Sequence, residues 1–169
     1  MSNKKVTARI AALDVISKVG EVVHGVVQFQ VCGSIRREKL YVGDADLVVD
    51  ELHLFDMLMF SNKAVTRGLT DVFCLSENYE PRVSKRADYR INDVPFNVYE
   101  SSIAAWGAMS LFLTGSALFN VRMRAKAKEK GMKLNQYGLW RGEELVVSRT
   151  EEQIFNELRI SYVSPRERE

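Results

Sequence analysis

A chain of 169 residues, 46% of them hydrophobic, has the length for one domain or for two small lobes that share a core. Two cysteines exclude a disulfide framework, no apolar run approaches membrane-spanning length, and the Met-Ser-Asn-Lys-Lys start lacks an apolar signal region, which together point to an intracellular location. The formal net charge of +2 leaves bulk charge silent about nucleic acid, so such a partner must be read from where the charges lie.

In chain order, Val6, Ile10, Leu13 and Ile16 predict an amphipathic helix over residues 6–19, with Gly20 as its stop. Residues 26–32 alternate and predict a first strand, and residues 41–49 a second. Residues 52–68 read as a helical region with Phe55, Leu58, Met59 and Val65 apolar, followed by a short strand over 72–75. Residues 88–91 and 94–99 flank Asn92-Asp93, a turn dipeptide, and predict a hairpin. The character then changes. Helices are predicted over 103–111 and 117–130, broken at Thr114-Gly115-Ser116 and ended by Gly131. Residues 133–140 and 144–147 are short strands, and Thr150 with Gln153 forms a capping box opening a last helix to about Leu158. Cys32 and Cys74 sit in apolar runs and read as buried free thiols. His24 and His53 have no metal-ligand company.

The chemistry concentrates in Gly33-Ser34-Ile35-Arg36-Arg37 and, five residues on, Val42-Gly43-Asp44-Ala45-Asp46. Residues two apart on a strand share a face, so Asp44 and Asp46 converge where their repulsion demands a cation. Hard carboxylates without nearby His or Cys suit Mg²⁺, which shares its oxygen ligands with substrate phosphates. The Gly33-Ser34 turn into a short helix offers backbone N–H groups to an anion, and Arg37 adds a forked cation suited to phosphate. A phosphate cradle beside a carboxylate pair is the chemistry of nucleotidyl transfer. Between residues 120 and 141, Arg122, Arg124, Lys126, Lys128, Lys130, Lys133 and Arg141 stand against Glu129 alone. Positions 122, 126, 130 and 133 follow helical spacing, and such a stripe can track a phosphate backbone.

The string Gly-Ser-x-Arg-Arg, four residues, Val-Gly-Asp-x-Asp resembles the nucleotidyltransferase motif of the family X DNA polymerases. The second half agrees: Thr114-Gly115-Ser116, Phe119-Asn120, the basic helix, Glu129-Lys130-Gly131, residues 134–139, residues 150–155 and Tyr162 to Arg168 follow the family's thumb in order. The resemblance covers nearly the whole chain from about residue 5. It implies an α+β fold, with a nucleotidyltransferase palm over residues 1–104, built as a mixed or antiparallel sheet with helices on one face. A small helical thumb with a short terminal sheet follows over 105–169. The chain has no room for the family's lyase and fingers domains, so the expected form is a palm-plus-thumb minimum like the smallest viral members, without lyase activity.

The resemblance also implies roles. Asp44 and Asp46 match the two metal-bridging aspartates. Gly33, Ser34, Arg37 and Gly43 match residues at the incoming triphosphate. Phe112 and Leu113 fall where aromatic residues pack on the nucleotide sugar; Leu113 departs from that pattern. Gly115 matches the family's cis peptide before Ser116, Asn120 the residue at the minor-groove edge of the new base pair, and Arg124 a contact to the template strand. Arg122, Lys126, Lys130 and Lys133 would hold DNA. The third metal-binding aspartate falls at Asn97, which keeps an oxygen ligand and loses the charge. Asparagine here has two explanations, a replacement introduced at an aspartate and a natural chain of weak or redirected activity. Asp88 and Asp93 are candidate stand-in carboxylates.

The expected function is therefore repair-type DNA synthesis by a monomer. It would use primer-template or gapped DNA, dNTPs and two Mg²⁺ ions, with Mn²⁺ as a substitute. Two alternatives stay open: a nucleotidyltransferase working without a template or on a non-DNA acceptor, and a catalytically silent DNA-end-binding module.

Overall fold

The computed structural model describes residues 7–80 and 82–169. A first helix, α1 (Arg9–Val23), follows a two-residue strand β1 (Thr7–Ala8). Val6, the expected start of this helix, lies outside the described residues. The buried face of α1 is Ala12, Val15, Ile16, Val19, Val22 and Val23, while Ile10 is 83% exposed. The six residues from Ile10 to Ile16 rotate it about 120° off that face, which corrects the predicted apolar stripe. Gly20 does not stop the helix either. A Cβ there would approach the Phe29 ring to 3.2 Å, so the glycine admits a close neighbour rather than ending the turn.

The first strand is β2 (Phe29–Val31), then comes the single-turn helix α2 (Gly33–Arg36). The predicted strand over 41–49 is two strands, β3 (Tyr41–Val42) and β4 (Ala45–Val49), parted at Gly43-Asp44. β3 leaves to pair with β1, and β4 enters the main sheet. The helical region splits into α3 (Leu52–Met59) and α4 (Asn62–Thr66), with Phe55 and Met59 buried and Val65 exposed. Strands β5 (Val72–Cys74), β6 (Arg86–Ile91) and β7 (Val94–Glu100) complete a five-stranded mixed sheet in the order β2-β4-β7-β6-β5, in which only β4 and β7 run parallel. Asn92 and Asp93 both adopt positive φ in the β6–β7 turn, as a tight right-twisted hairpin requires.

Alternation along these strands sorts the faces. Ala45, Leu47, Val49, Ala87, Tyr89, Phe96 and Val98 pack with α1 and α3 in the main core. The residues between them, Asp46, Val48, Asn97, Tyr99, Arg86 and Asp88, point to the other face. Helix α5 (Trp106–Thr114) crosses that second face, where Met109 and Leu113 meet Cys32, Val48 and Tyr99. Gln30 on β2 receives hydrogen bonds from Trp106 Nε1 at 2.7 Å and Ser110 Oγ at 2.9 Å. Cys32 is fully buried at this contact, and burial pushes its thiol up to about 12. Cys74, at the sheet edge, is only half-buried.

Helix α6 (Ala117–Glu129) buries Phe119, Met123 and Ala127, at i, i+4, i+8, against β8 (Lys133–Asn135) and the final helix α7 (Glu151–Glu157). β8, β9 (Gly138–Arg141) and β10 (Glu144–Val147) form an antiparallel terminal sheet. The capping box is present: Thr150 Oγ1 accepts from Gln153 N at 3.2 Å, and Gln153 Oε1 from Thr150 N at 3.3 Å. Among the described residues no helix is long and apolar enough to cross a membrane.

One buried ion cluster joins the chain's distant parts. Glu151 at the start of α7 takes two hydrogen bonds from Arg36 (2.7 and 3.0 Å) and two from Arg168 (both 3.0 Å), plus the Tyr162 hydroxyl at 3.1 Å. Arg168 is fully buried among the Phe119, Phe155 and Tyr162 rings. Burial pushes the Glu151 carboxyl up, and the Arg168 and Arg36 hydrogen bonds outweigh it, so its pKa lies below the ordinary value of 4.5. A carboxyl depressed on folding gives stability that is present above its unfolded value and is lost as pH falls through the folded one. Breaking a buried pair costs roughly 3–5 kcal/mol. Urea unfolding of Glu151→Gln at pH 7 is expected to reveal a loss of that order. The variant should also lose part of the wild type's decline in stability below pH 4.5.

Candidate active site

Asp46 stands on β4 with its side chain on the α5 face, and Asp44 immediately precedes that strand, after the bend at Gly43. Both are half-buried, and both raise the pKa of Tyr99 after burial itself, so they share its surroundings. Gly33 explains how the carboxylate fits. Its φ is +62°, and a Cβ there would lie 2.1 Å from Asp46 Oδ2. The glycine lets the turn's backbone close onto the carboxylate, a constraint of space as well as of conformation. The backbone repeats the contact, since Cys32 N donates to Asp46 O at 2.7 Å.

Strand pairing delivers the third position. In the parallel β4–β7 register Asp46 faces Asn97, and in the antiparallel β7–β6 register Asn97 faces Asp88. Asn97 Nδ2 donates to Asp46 Oδ1 at 3.0 Å. The amide therefore presents a donor to the carboxylate, where an acid would present another acceptor. Among the described residues no three His, Cys, Asp or Glu side chains stand close enough to hold a metal together, which agrees with an amide interrupting the acidic set. Asp88 is held instead by Arg86, through Nε at 3.0 Å and Nη2 at 3.2 Å. Asp93 lies in the exposed hairpin turn, three strand residues beyond Asp88 and off this row.

The phosphate-binding candidates meet the thumb motif. Arg37 Nη1 donates to the Thr114 carbonyl, and Arg36 Nη1 to Thr114 Oγ1 at 2.8 Å. Arg37 Nε is buried with no hydrogen-bond partner. Gly115 is joined to Ser116 by a cis peptide bond. A Cβ on Gly115 would lie 3.5 Å from Arg37 Nη1 and 3.9 Å from Asn120 Nδ2, so Arg37, Gly115 and Asn120 form one corner. Asn120 Nδ2 donates to the Phe112 carbonyl at 2.7 Å, and Arg124 Nε to the Asn120 carbonyl at 3.2 Å. Phe112, Asn120 and Arg124 line one small cavity of about 50 Å³ with Leu134, Asn135 and Gln136. Phe112 also borders a groove of about 630 Å³ that runs past Met109 and Tyr137 to Tyr99 and Arg86. Leu113 points away, into the contact with Cys32 and Val48.

Ser34 and Gly43 are half-buried on either side of the Arg36-Arg37 turn. Helix α2 has four residues, so its N–H groups act as individual donors rather than through a long helix dipole. Arg122, Lys126 and Lys130 are exposed on α6 and its C-cap, Lys126 paired with Glu129 at 2.9 Å. Lys133 falls outside the helix, exposed on β8. Sequence reasoning missed Arg86, Tyr99 and Tyr137. Alternation along the hairpin could have placed the first two on the Asp46 face; Tyr137, in the β8–β9 turn, carried no signal.

The DNA polymerase beta thumb model matches residues 109–169. The chain is 25% identical over 144 residues to a Repair DNA polymerase X of African swine fever virus, covering 80% of this chain and 78% of that one. It is 26% identical to DNA polymerase lambda of Arabidopsis thaliana, across 90% of this chain and 34% of the plant protein. A 62-residue stretch is 40% identical to DNA polymerase IV of Saccharomyces cerevisiae. The α+β architecture is in keeping with these polymerase relatives, which are named as nucleotide-polymerising enzymes. The chain is thus similar to the family X DNA polymerases, and to their viral repair members along most of both chains.

Gly33→Ala is expected to destabilise the chain by about 1–3 kcal/mol, since something must yield around Asp46 and the left-handed φ adds strain. In the Asp46→Ala background the same substitution should cost markedly less. A double-mutant cycle by chemical denaturation reads the coupling.

Proposed function

We propose that the chain is a repair-type, DNA-directed DNA polymerase that transfers dNMP from a dNTP to a primer 3′-hydroxyl. Residues 1–104 would act as palm and 105–169 as thumb. The observation that supports this best is the meeting of two motifs distant in sequence. The Asp46 carboxylate packs on Gly33 while Arg36 and Arg37, three and four residues later, bond Thr114 at the head of the basic lobe.

The donor set fits a hard divalent cation such as Mg²⁺: two carboxylates, an amide oxygen, and no thiol or imidazole beside them. Asp44 and Asp46 would hold it. In this chemistry paired cations stabilise the attacking and leaving oxygens of an in-line displacement. The protein's own groups do the rest. Arg37, with its unpartnered Nε, and the Gly33-Ser34 backbone would neutralise the triphosphate. Phe112 would pack on the sugar. Asn120 and Arg124 would face the new base pair and the template from the small cavity they share. Arg122, Lys126, Lys130 and Lys133 would contact phosphates along the duplex.

Asn97 tunes the rate in this reading. Its amide occupies Asp46 as a donor and cannot take the primer proton; loss of a general base costs roughly 10²- to 10⁴-fold. Asn97→Asp is expected to raise single-nucleotide incorporation at least tenfold in primer-extension assays with Mg²⁺, and equal rates would refute this role. Asp44→Ala should abolish incorporation. The Asn97–Asp46 hydrogen bond also favours a second reading, a silent DNA-end-binding module. Metal-dependent incorporation by the unaltered chain, lost in Asp44→Ala, rules that module out. For the basic stripe, Lys126→Ala with Lys130→Ala is expected to weaken duplex binding. It should also flatten the slope of log affinity against log salt by about 0.9 for each phosphate contact removed, measured by fluorescence anisotropy.

A further inference from the structure

The row across the sheet reads Asp46, Asn97, Asp88, with all three in register on one face of adjacent strands. The negative charge absent from the middle strand is present one strand further on. We propose that Asp88 supplies it, balancing the divalent cation held by Asp44 and Asp46 through one of that cation's waters. This rests on the polymerase reading above.

Strand spacing sets the reach. Adjacent strands lie about 4.8 Å apart, so the Asp46 and Asp88 backbones are about 10 Å apart. That is too wide for both carboxylates to ligate one ion directly. It is spanned by an ion and one of its waters, and Mg²⁺ keeps several waters when bound by one or two carboxylates. The electrostatics of the row agree. Asp88 and Asp46 both act on Arg86, and Asp46, Asp88 and Asp44 all act on Tyr99, so the three carboxylates face one small region. Arg86, whose guanidinium also lies 5.0 Å from the Tyr99 ring centre, bonds both Asp88 oxygens, and the Asp88 side chain stays 38% exposed. The surrounding charged groups are Arg86 on the same strand, Lys85 and Glu100 paired at the hairpin's end, and Asp46 across the row. Asp93 lies in the hairpin turn, outside the strand residues that form the row.

The test is Mn²⁺ uptake by the full chain, read from the free-ion EPR signal and independent of turnover. Asp88→Asn, nearly isosteric, should weaken binding at least fivefold. Asp93→Asn, with the same loss of charge on the same hairpin, should change it less than twofold. The decisive variant carries Asp88→Asn and Asn97→Asp together, moving the carboxylate back one strand, and should bind at least as tightly as wild type. Unchanged binding in Asp88→Asn overturns the proposal. So does an equal loss in Asp93→Asn, or a loss that Asn97→Asp fails to restore, which would mark Asp88 as a structural partner of Arg86. An Asp44→Ala chain that still takes up Mn²⁺ as wild type does overturns the polymerase site itself, whatever Asp88 does.

Discussion

Two adjacent arginines hold this molecule's halves in one arrangement. Arg36 and Arg37 leave the turn that packs on Asp46 and both end on Thr114, the last residue of α5. Arg36 continues to Glu151, which Arg168 closes from the other side. A forked guanidinium can bond two groups at once in a fixed plane, which lysine cannot. The carboxylate strand, the Gly115-Ser116 bend and the chain's last residues are thus referred to one another through a few planar contacts. Apolar packing of α5 on Val48 and Cys32 supports the same junction without specifying its register.

That junction brings the turn that packs on Asp46 and the corner of Arg37, Gly115 and Asn120 together at the start of α6. The sheet uses one face for its core with α1 and α3, and turns the other, with the Asp46–Asn97–Asp88 row, towards α5. The acids lie on the second face because strand alternation assigns every other residue there. The groove from Arg86 to Phe112 then follows from where α5 crosses.

Asn97 gives the site its individual character. A carboxylate at that position would repel Asp46 until a cation arrived; the amide instead satisfies it with a hydrogen bond. The resting site is therefore less frustrated electrostatically than a site with three acids, and its pull on a cation is weaker. The opposite face of the sheet is filled with core side chains and, among the described residues, offers no polar group to this row.

Much of this was legible from residue order alone. The turn into a short helix at Gly33, the Asn92-Asp93 turn and the Thr150 capping box are local signals whose physics acts over a few residues, and each formed as read; the Asp-x-Asp pair instead straddles the start of β4, and the basic stripe leaves the helix before Lys133. Reading failed where a neighbour distant in sequence decided. Gly20 sits mid-helix because Phe29 approaches it, and strand 41–49 divides because β3 pairs with β1 while β4 pairs with β2 and β7. Sequence by itself determined which chemical groups the chain carries and which local elements they ride on. Only the tertiary structure decided that Asp46, Asn97 and Asp88 share a row and that Arg36 meets Glu151. Strand register and buried ion pairing join residues dozens of positions apart, and no local periodicity encodes that.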